Sequence, residues 1–347
     1  MAKTRIEKLM ESVKVSAADF IERERAILKL SPALNYILGG GITEGSFTLI
    51  TGAHKFGKTA ASLYICKQAQ KALGYRVVYL NGEHRLTKRD ILSTKGLDHK
   101  NADVYTSNKK DMIYAEDFVN LARTELETEE KVILIADSLS QMCPRELADK
   151  PDIGEQYRDP TPKILANLTR VLSPILSVTN NIFIAITHSH MDTSGKSFGS
   201  GRVEGGGTKI QYAHDFKLKG LYAQSWEDKI GNEIGKKMNW ECGTSALGPP
   251  KRKCTGYLRY NHGIDEEMEL MSLAQLAQIP SLKVAGSWLT LFDQKVQGID
   301  NAAALLRKDK ELYSSVETEV WSILGNRTSF GESEDDGAES EDVPDKE

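Results

Sequence analysis

The stretch Ser46–Ala60 reads SFTLITGAHKFGKTA. Phe47–Ile50 is an apolar, β-prone run, and the glycine-rich turn after it opens KTAASLYICKQAQKALG, a helical sequence ending at Gly74. A glycine there suits a left-handed C-terminal cap. Within the stretch, Gly52-Ala53-His54-Lys55-Phe56-Gly57-Lys58-Thr59 satisfies G-x-x-x-x-G-K-[ST] in full. Its strand–turn–helix setting separates a phosphate loop from a chance glycine-rich turn. The glycines let backbone N–H groups and the helix N-terminus converge on phosphate oxygens. Lys58 is expected to reach the β- and γ-phosphates and the Thr59 hydroxyl to hold Mg2+. Residues Gly52 through Ala60 therefore form the expected contact surface for a nucleoside triphosphate.

Working outward, strand and helix signals alternate. YRVVYLNGE reads as a strand, AEDFVNLARTELETEE as a helix and KVILIADS as a strand. PKILANLTRVLSPILSVTN is a helix with a possible kink at Pro174, and NIFIAITH is a further strand. The strands are nearly continuous apolar runs, which predicts an α/β fold whose parallel-rich sheet is covered by helices on both faces. In such sheets ligands bind outside the carboxyl ends of the strands. Asp137 ends the apolar run Val132–Ala136, where its carboxylate suits a magnesium-bound water. Glu83 follows the Val77–Leu80 strand and is placed to polarise an attacking water.

After NIFIAITH come His188 and His190. Zinc needs three or four ligands, and neither a nearby cysteine nor an H-E-x-x-H helix completes a set. Cys66, Cys143, Cys242 and Cys254 form no C-x-x-C pair and are expected to be reduced thiols. Residues 189–208 are half glycine or serine and predict a long functional loop without structure of its own.

The chain has 347 residues and a net charge of -4, distributed unevenly. Gly331–Glu347 carries nine carboxylates and one lysine, which leaves the first 330 residues at about +4. Such a block is a self-repelling tail that either aids solubility or competes with polyanions for a basic surface. No window approaches eighteen apolar residues, and MAKTRIEKLMESVK lacks the apolar segment of a secretory signal, so a cytoplasmic protein without membrane contact is expected. Residues 3–14 predict a short amphipathic helix. AADFIE predicts a short strand around Ala18–Glu22, and residues 266–325 a small helical domain with a GSWLTLF hairpin.

Taken jointly, SPALNYILGGGITEGSFTLITGAHKFGKT, NGEH, ADSLSQM, ITHSH, GGGTKIQYAHD and RYNHGIDEEMELMSLAQLAQI with GSWL resemble the RecA family of ATP-dependent recombinases. ITHSH resembles its phage branch, typified by UvsX. The resemblance implies a RecA-like ATPase core over 32–265, preceded by a polymerisation helix and docking strand in 1–31. It further implies a small C-terminal α+β domain over 266–328 and an acidic tail over 329–347. It implies Lys58 and Thr59 on Mg-ATP, Asp137 on the metal through water, Glu83 as the base, and His188 as a sensor of the γ-phosphate. Two DNA loops follow, at about 143–160 with Arg145 and at about 189–208. In the second, Lys196 and Arg202 are offset by Asp192 and Glu204, so the backbone of Gly205, Gly206 and Gly207 and an apolar insertion by Phe198 or Val203 carry the contact. Phe20 is implied at the subunit interface, and Arg89 and Tyr260 near adenine, with Tyr260 acting from the adjacent protomer.

The implied activity is DNA-dependent ATP hydrolysis by a helical homo-oligomer on single-stranded DNA, which pairs that strand with homologous duplex. Single-strand-binding and mediator proteins are implied partners, and a phage-encoded protein in the bacterial cytoplasm is the implied setting. A hexameric helicase-like motor on the same fold is the competing reading. One departure concerns the subunit interface, where Thr244, Ser245 and Ala246 stand at positions the family commonly makes basic. Either Lys251, Arg252 and Lys253, or Lys236 and Lys237, take that part through a shifted loop, or hydrolysis is less coupled to filament contacts.

Overall fold

The computed structural model describes residues 4–22, 24–149, 159–191, 202–204 and 209–325. Ten of the strands in these residues form one sheet. Six neighbours run parallel, in the spatial order Phe216–Glu227, Phe47–Gly52, Ile182–Met191, Val132–Asp137, Arg76–Asn81 and Ala102–Tyr105. Beyond Phe216–Glu227 the direction alternates through Glu233–Thr244, Lys253–Arg259 and Gly263–Ile264.

Successive residues of a strand face opposite sides, so a strand covered on both faces has no polar side to alternate with. Ile50, Tyr79, Ile133, Ile135, Ile184 and Ile186 pack on one face with the helix Lys58–Leu73. Leu49, Val78, Leu134 and Phe183 pack on the other, under the helices Ala115–Leu126 and Thr161–Thr179. Pro174 lies inside the second of these helices. The helix after the phosphate loop ends as expected, with Gly74 left-handed at its C-cap. The parallel register sets Gly52 opposite His188 and Asn81 opposite Asp137, so the carboxyl ends of four strands share one edge.

The C-terminal segment packs a third apolar cluster, in which Met268, Leu270, Leu306, Val316 and Val320 join Trp226 and Tyr257 of the antiparallel strands. The expected hairpin is a three-stranded meander, Leu282–Ala285, Trp288–Leu291 and Gln294–Gln297. Asp265 fastens this segment to the sheet. It caps the helix Glu266–Ala277 and receives Arg259 Nε at 2.7 Å and Arg307 Nη2 at 2.5 and 2.6 Å. No helix in the described residues is long and apolar enough to cross a membrane.

Two local expectations are corrected. Ala17–Ile21 is a helical turn rather than a strand, because the Ser16 hydroxyl accepts from Asp19 N at 3.0 Å and caps it. The glycine-rich stretch is not bare of structure either. The Ile182 strand runs on to Met191, and Arg202–Glu204 pairs back on it antiparallel, with Ser189 opposite Glu204 and Met191 opposite Arg202. Backbone pairing thus builds a hairpin stem where composition predicted only loop.

Candidate nucleotide-binding site

The phosphate loop takes its shape from what lies beneath it. Phe56, expected to contact nucleotide, has its ring buried edge-on against Trp240 at 4.6 Å. The same ring presses on Gly220, where a Cβ would come within 2.6 Å of it. Gly57 has φ +114°, and a side chain there would meet Met238 Sδ at 2.5 Å. Glycine is therefore required by backbone conformation and by contact alike. The loop is pinned to the core by one aromatic plug, while the helix beginning at Lys58 has no side-chain cap and leaves its first N–H groups open.

Lys58 is buried and folded back, its Nζ donating to Gly52 O at 3.0 Å and Ala53 O at 2.8 Å and lying 3.2 Å from His188 Nδ1. An ammonium only donates, so Nδ1 is the acceptor, and Nε2 carries the ring proton toward Glu83 Oε2 at 3.2 Å. Burial, with Lys58 adding to it, holds the His188 pKa below the ordinary imidazole value. Burial also lowers the pKa of Lys58, against the pull of Asp137 and Glu83.

Thr59 Oγ1 and the Tyr79 hydroxyl both donate to Asp137 Oδ2. Burial raises the Asp137 pKa, and these two hydrogen bonds oppose the rise. The Asp137–Ser138 peptide is cis, and Glu83 N donates to Asp137 O at 2.9 Å across the neighbouring strand end. His188 N donates to Ser140 Oγ at 3.3 Å, joining the strand that leads into residues 189–208 to the turn that leads into 143–160.

Lys58, Thr59, Asp137, Glu83, His188 and Arg85 line one cavity of about 320 Å³. The donor set suits Mg-ATP: an uncapped helix N-terminus and a buried ammonium for phosphate, and hydroxyl and carboxylate oxygens for a hard cation. Arg89 lines an adjoining recess of about 510 Å³ with Lys88, Leu92, Ser93 and Asn261. Tyr260 does not line the phosphate cavity; its hydroxyl is bonded to Glu233. Lys236 reaches the phosphate loop, donating from Nζ to Lys55 O at 2.9 Å.

The other expected positions lie apart from this cluster. Arg145 is held by Asp117 at 2.9 Å and stacks over Tyr114 at 4.3 Å. Phe20 is exposed. Arg202 and Val203 belong to the hairpin stem, while Lys196, Phe198, Gly205, Gly206 and Gly207 fall outside the described residues. Sequence reasoning missed Tyr79, Arg85 and Ser140. A tyrosine inside an otherwise aliphatic buried strand was the available signal for Tyr79, since its hydroxyl needs a partner.

A phosphate loop, a carboxylate at the end of the parallel strand Val132–Asp137 and a second carboxylate one strand further out define the class of a phosphate-loop ATPase. The chain belongs to the RecA family: the model of the RecA N-terminal domain matches residues 9–265. It is similar to Protein RecA of Wolinella succinogenes, 25% identical over 326 residues that cover 91% of this chain and 89% of that protein. Protein RecA of Campylobacter jejuni subsp. jejuni strain 81-176 is 24% identical over 314 residues, covering 89% and 88%. Protein RecA of Thermus aquaticus is 27% identical over 293 residues, covering 84% and 83%.

Proposed function

We propose that this chain is a DNA strand-exchange protein of homologous recombination. As a DNA-dependent ATPase it assembles as a helical filament on single-stranded DNA and pairs that strand with a homologous duplex. One observation carries the link between nucleotide and DNA. Lys58, His188 and Glu83 form a continuous hydrogen-bonded chain, and His188 is the last residue before the hairpin stem that opens residues 189–208.

In this reading Lys58 leaves the Gly52 and Ala53 carbonyls to hold phosphate, and Thr59 and Asp137 hold Mg2+, Asp137 through water. The metal, when bound, supplies positive charge against the phosphate oxygens. Glu83 takes a proton at Oε from the attacking water while the water oxygen bonds the terminal phosphorus. The bridging P–O bond breaks and its electron pair leaves with ADP. His188 exchanges its Lys58 and Glu83 partners for phosphate, which moves the stem attached to it. Bases are read by base pairing, while the protein holds the backbone and deforms the strand.

Finer assignments belong to the same proposal. The segments 1–31, 32–265, 266–328 and 329–347 serve as polymerisation arm, ATPase core, C-terminal domain and acidic tail. The stretches 143–160 and 189–208 contact DNA. The ITHSH sequence favours the phage branch and a phage origin, with single-strand-binding and mediator proteins as partners.

The test is a strand-exchange assay between circular single-stranded and linear duplex DNA, with ATP and with a non-hydrolysable analogue. Joint molecules are expected. Their absence under both conditions, alongside processive duplex unwinding, would transfer the chain to the helicase-like motors.

A further inference from the structure

Arg85 is a cation of the nucleotide cavity to which neither the phosphate-loop motif nor the family resemblance assigns a role. It lies two residues after Glu83, across His84, whose φ of +53° folds the chain sharply between them. Arg85 Nη1 sits 2.9 Å from Glu83 Oε1 and 3.4 Å from His54 Nε2 of the phosphate loop. The guanidinium therefore bridges the residue proposed as the base and the loop proposed to cradle phosphate. It lines both the 320 Å³ cavity around Lys58 and the adjoining 300 Å³ cavity of Gln141, His188 and Ser189.

Arg85 and Lys55 are exposed cations of that cavity, and Arg85 pairs with Glu83. Lys58 is buried with three partners, and Lys236 is bonded to a loop carbonyl. The Arg85 side chain is 66% exposed, whereas its Glu83 partner is 14% exposed. An exposed ion pair of this kind contributes little to folding. What it does is occupy one oxygen of Glu83, while His188 occupies the other. Both oxygens of the proposed base are thus engaged.

Resting on the nucleotide reading above, we propose that Arg85 is a catalytic residue acting within its own subunit. It clamps Glu83 through this ion pair. With nucleotide bound it transfers to the terminal phosphate, frees Glu83 for water and stabilises the charge that develops on the transferring group. A planar guanidinium matches phosphate oxygens in a two-point contact that a lone carboxylate oxygen cannot offer. The exposed side chain, on a loop residue, is free to make that exchange.

The test compares ground-state and transition-state ligands on the full chain with Mg2+ and a single-stranded oligonucleotide. Binding of a fluorescent ADP, and its tightening by aluminium fluoride, are measured by equilibrium titration. Arg85→Ala is expected to bind ADP within about twofold of the parent but to lose about tenfold to a hundredfold of the tightening, the worth of one charge-assisted contact. Arg85→Lys should recover part of it, as a point charge without the fork. Undiminished tightening in Arg85→Ala, or an equal loss for both ligands, overturns the proposal. Lys58→Ala separates the two readings: it should lose both ligands, and if it keeps both, the nucleotide site itself is misplaced.

Discussion

The Tyr79 hydroxyl donates to Asp137 Oδ2 at 2.5 Å, and the Thr59 hydroxyl donates to the same oxygen at 2.7 Å. Tyr79 and Asp137 are both buried. A carboxylate fixed through one oxygen by two donors presents the other in a set direction, which a water-mediated metal contact needs. Tyr79→Phe removes one donor without changing the ring. The half-saturating Mg2+ concentration for ATP hydrolysis should rise about threefold to tenfold, with turnover at saturating metal nearly unchanged. A magnesium titration of steady-state hydrolysis reads both quantities; an unmoved midpoint would leave Tyr79 a packing residue.

His188 carries a sign for pH. Burial and Lys58 lower its pKa below the ordinary 6.5, while Glu83 and Asp137 pull the other way. The unfolded chain then takes up this proton before the folded chain does. The His188 contribution to stability is complete above pH 6.5 and is lost as pH falls from there through the lowered folded value. His188→Gln, neutral throughout, should flatten that part of a melting-temperature profile between about pH 7 and pH 5. Superimposable acid limbs for parent and variant would contradict the assignment.

Asp265 is fully buried beneath Arg259 and Arg307. Burial alone raises its pKa, but the hydrogen bonds and charges of the two arginines bring the net value below the ordinary carboxylate range. Asp265→Asn leaves both guanidiniums without their counterion and should cost about 3–5 kcal/mol. Urea unfolding checks this, with the fluorescence of Trp226, which packs against Tyr257 beside the C-terminal cluster, as a local probe.

The N-terminal arm keeps its apolar side chains in solvent. Ile6, Leu9, Met10, Val13 and Phe20 are all more than half exposed, and the helix Arg5–Val13 buries none of its residues. A chain truncated before Ala18 should melt like the parent, since nothing in the core is lost, yet form no filaments on single-stranded DNA by electron microscopy. Filaments of ordinary length from that chain would show that the arm is not the subunit connector.

The groups gathered in the cavity at the phosphate loop were largely legible before folding. Lys58 and Thr59 follow from a motif whose spacing is tied to phosphate geometry. Asp137, Glu83 and His188 each stand just past the end of an apolar run, and the carboxyl edge of a parallel sheet is where such ends collect. The secondary structure around Phe20 was misread because local strand propensity is outweighed by the Ser16 cap, which decides for a helical turn.

Sequence alone determined the class of fold and the identity of the phosphate loop, because buried parallel strands and a helix-opening glycine turn each impose a local pattern. Tertiary structure alone decided that the sheet continues antiparallel beyond Phe216–Glu227, that the Phe56 ring anchors the loop against Trp240, and that residues 189–191 and 202–204 pair as a stem. It also decided that Tyr79 meets Asp137 and that Arg85 reaches from Glu83 to His54. Those meetings depend on strand register and loop reversal between residues far apart in the chain, and no local periodicity encodes register.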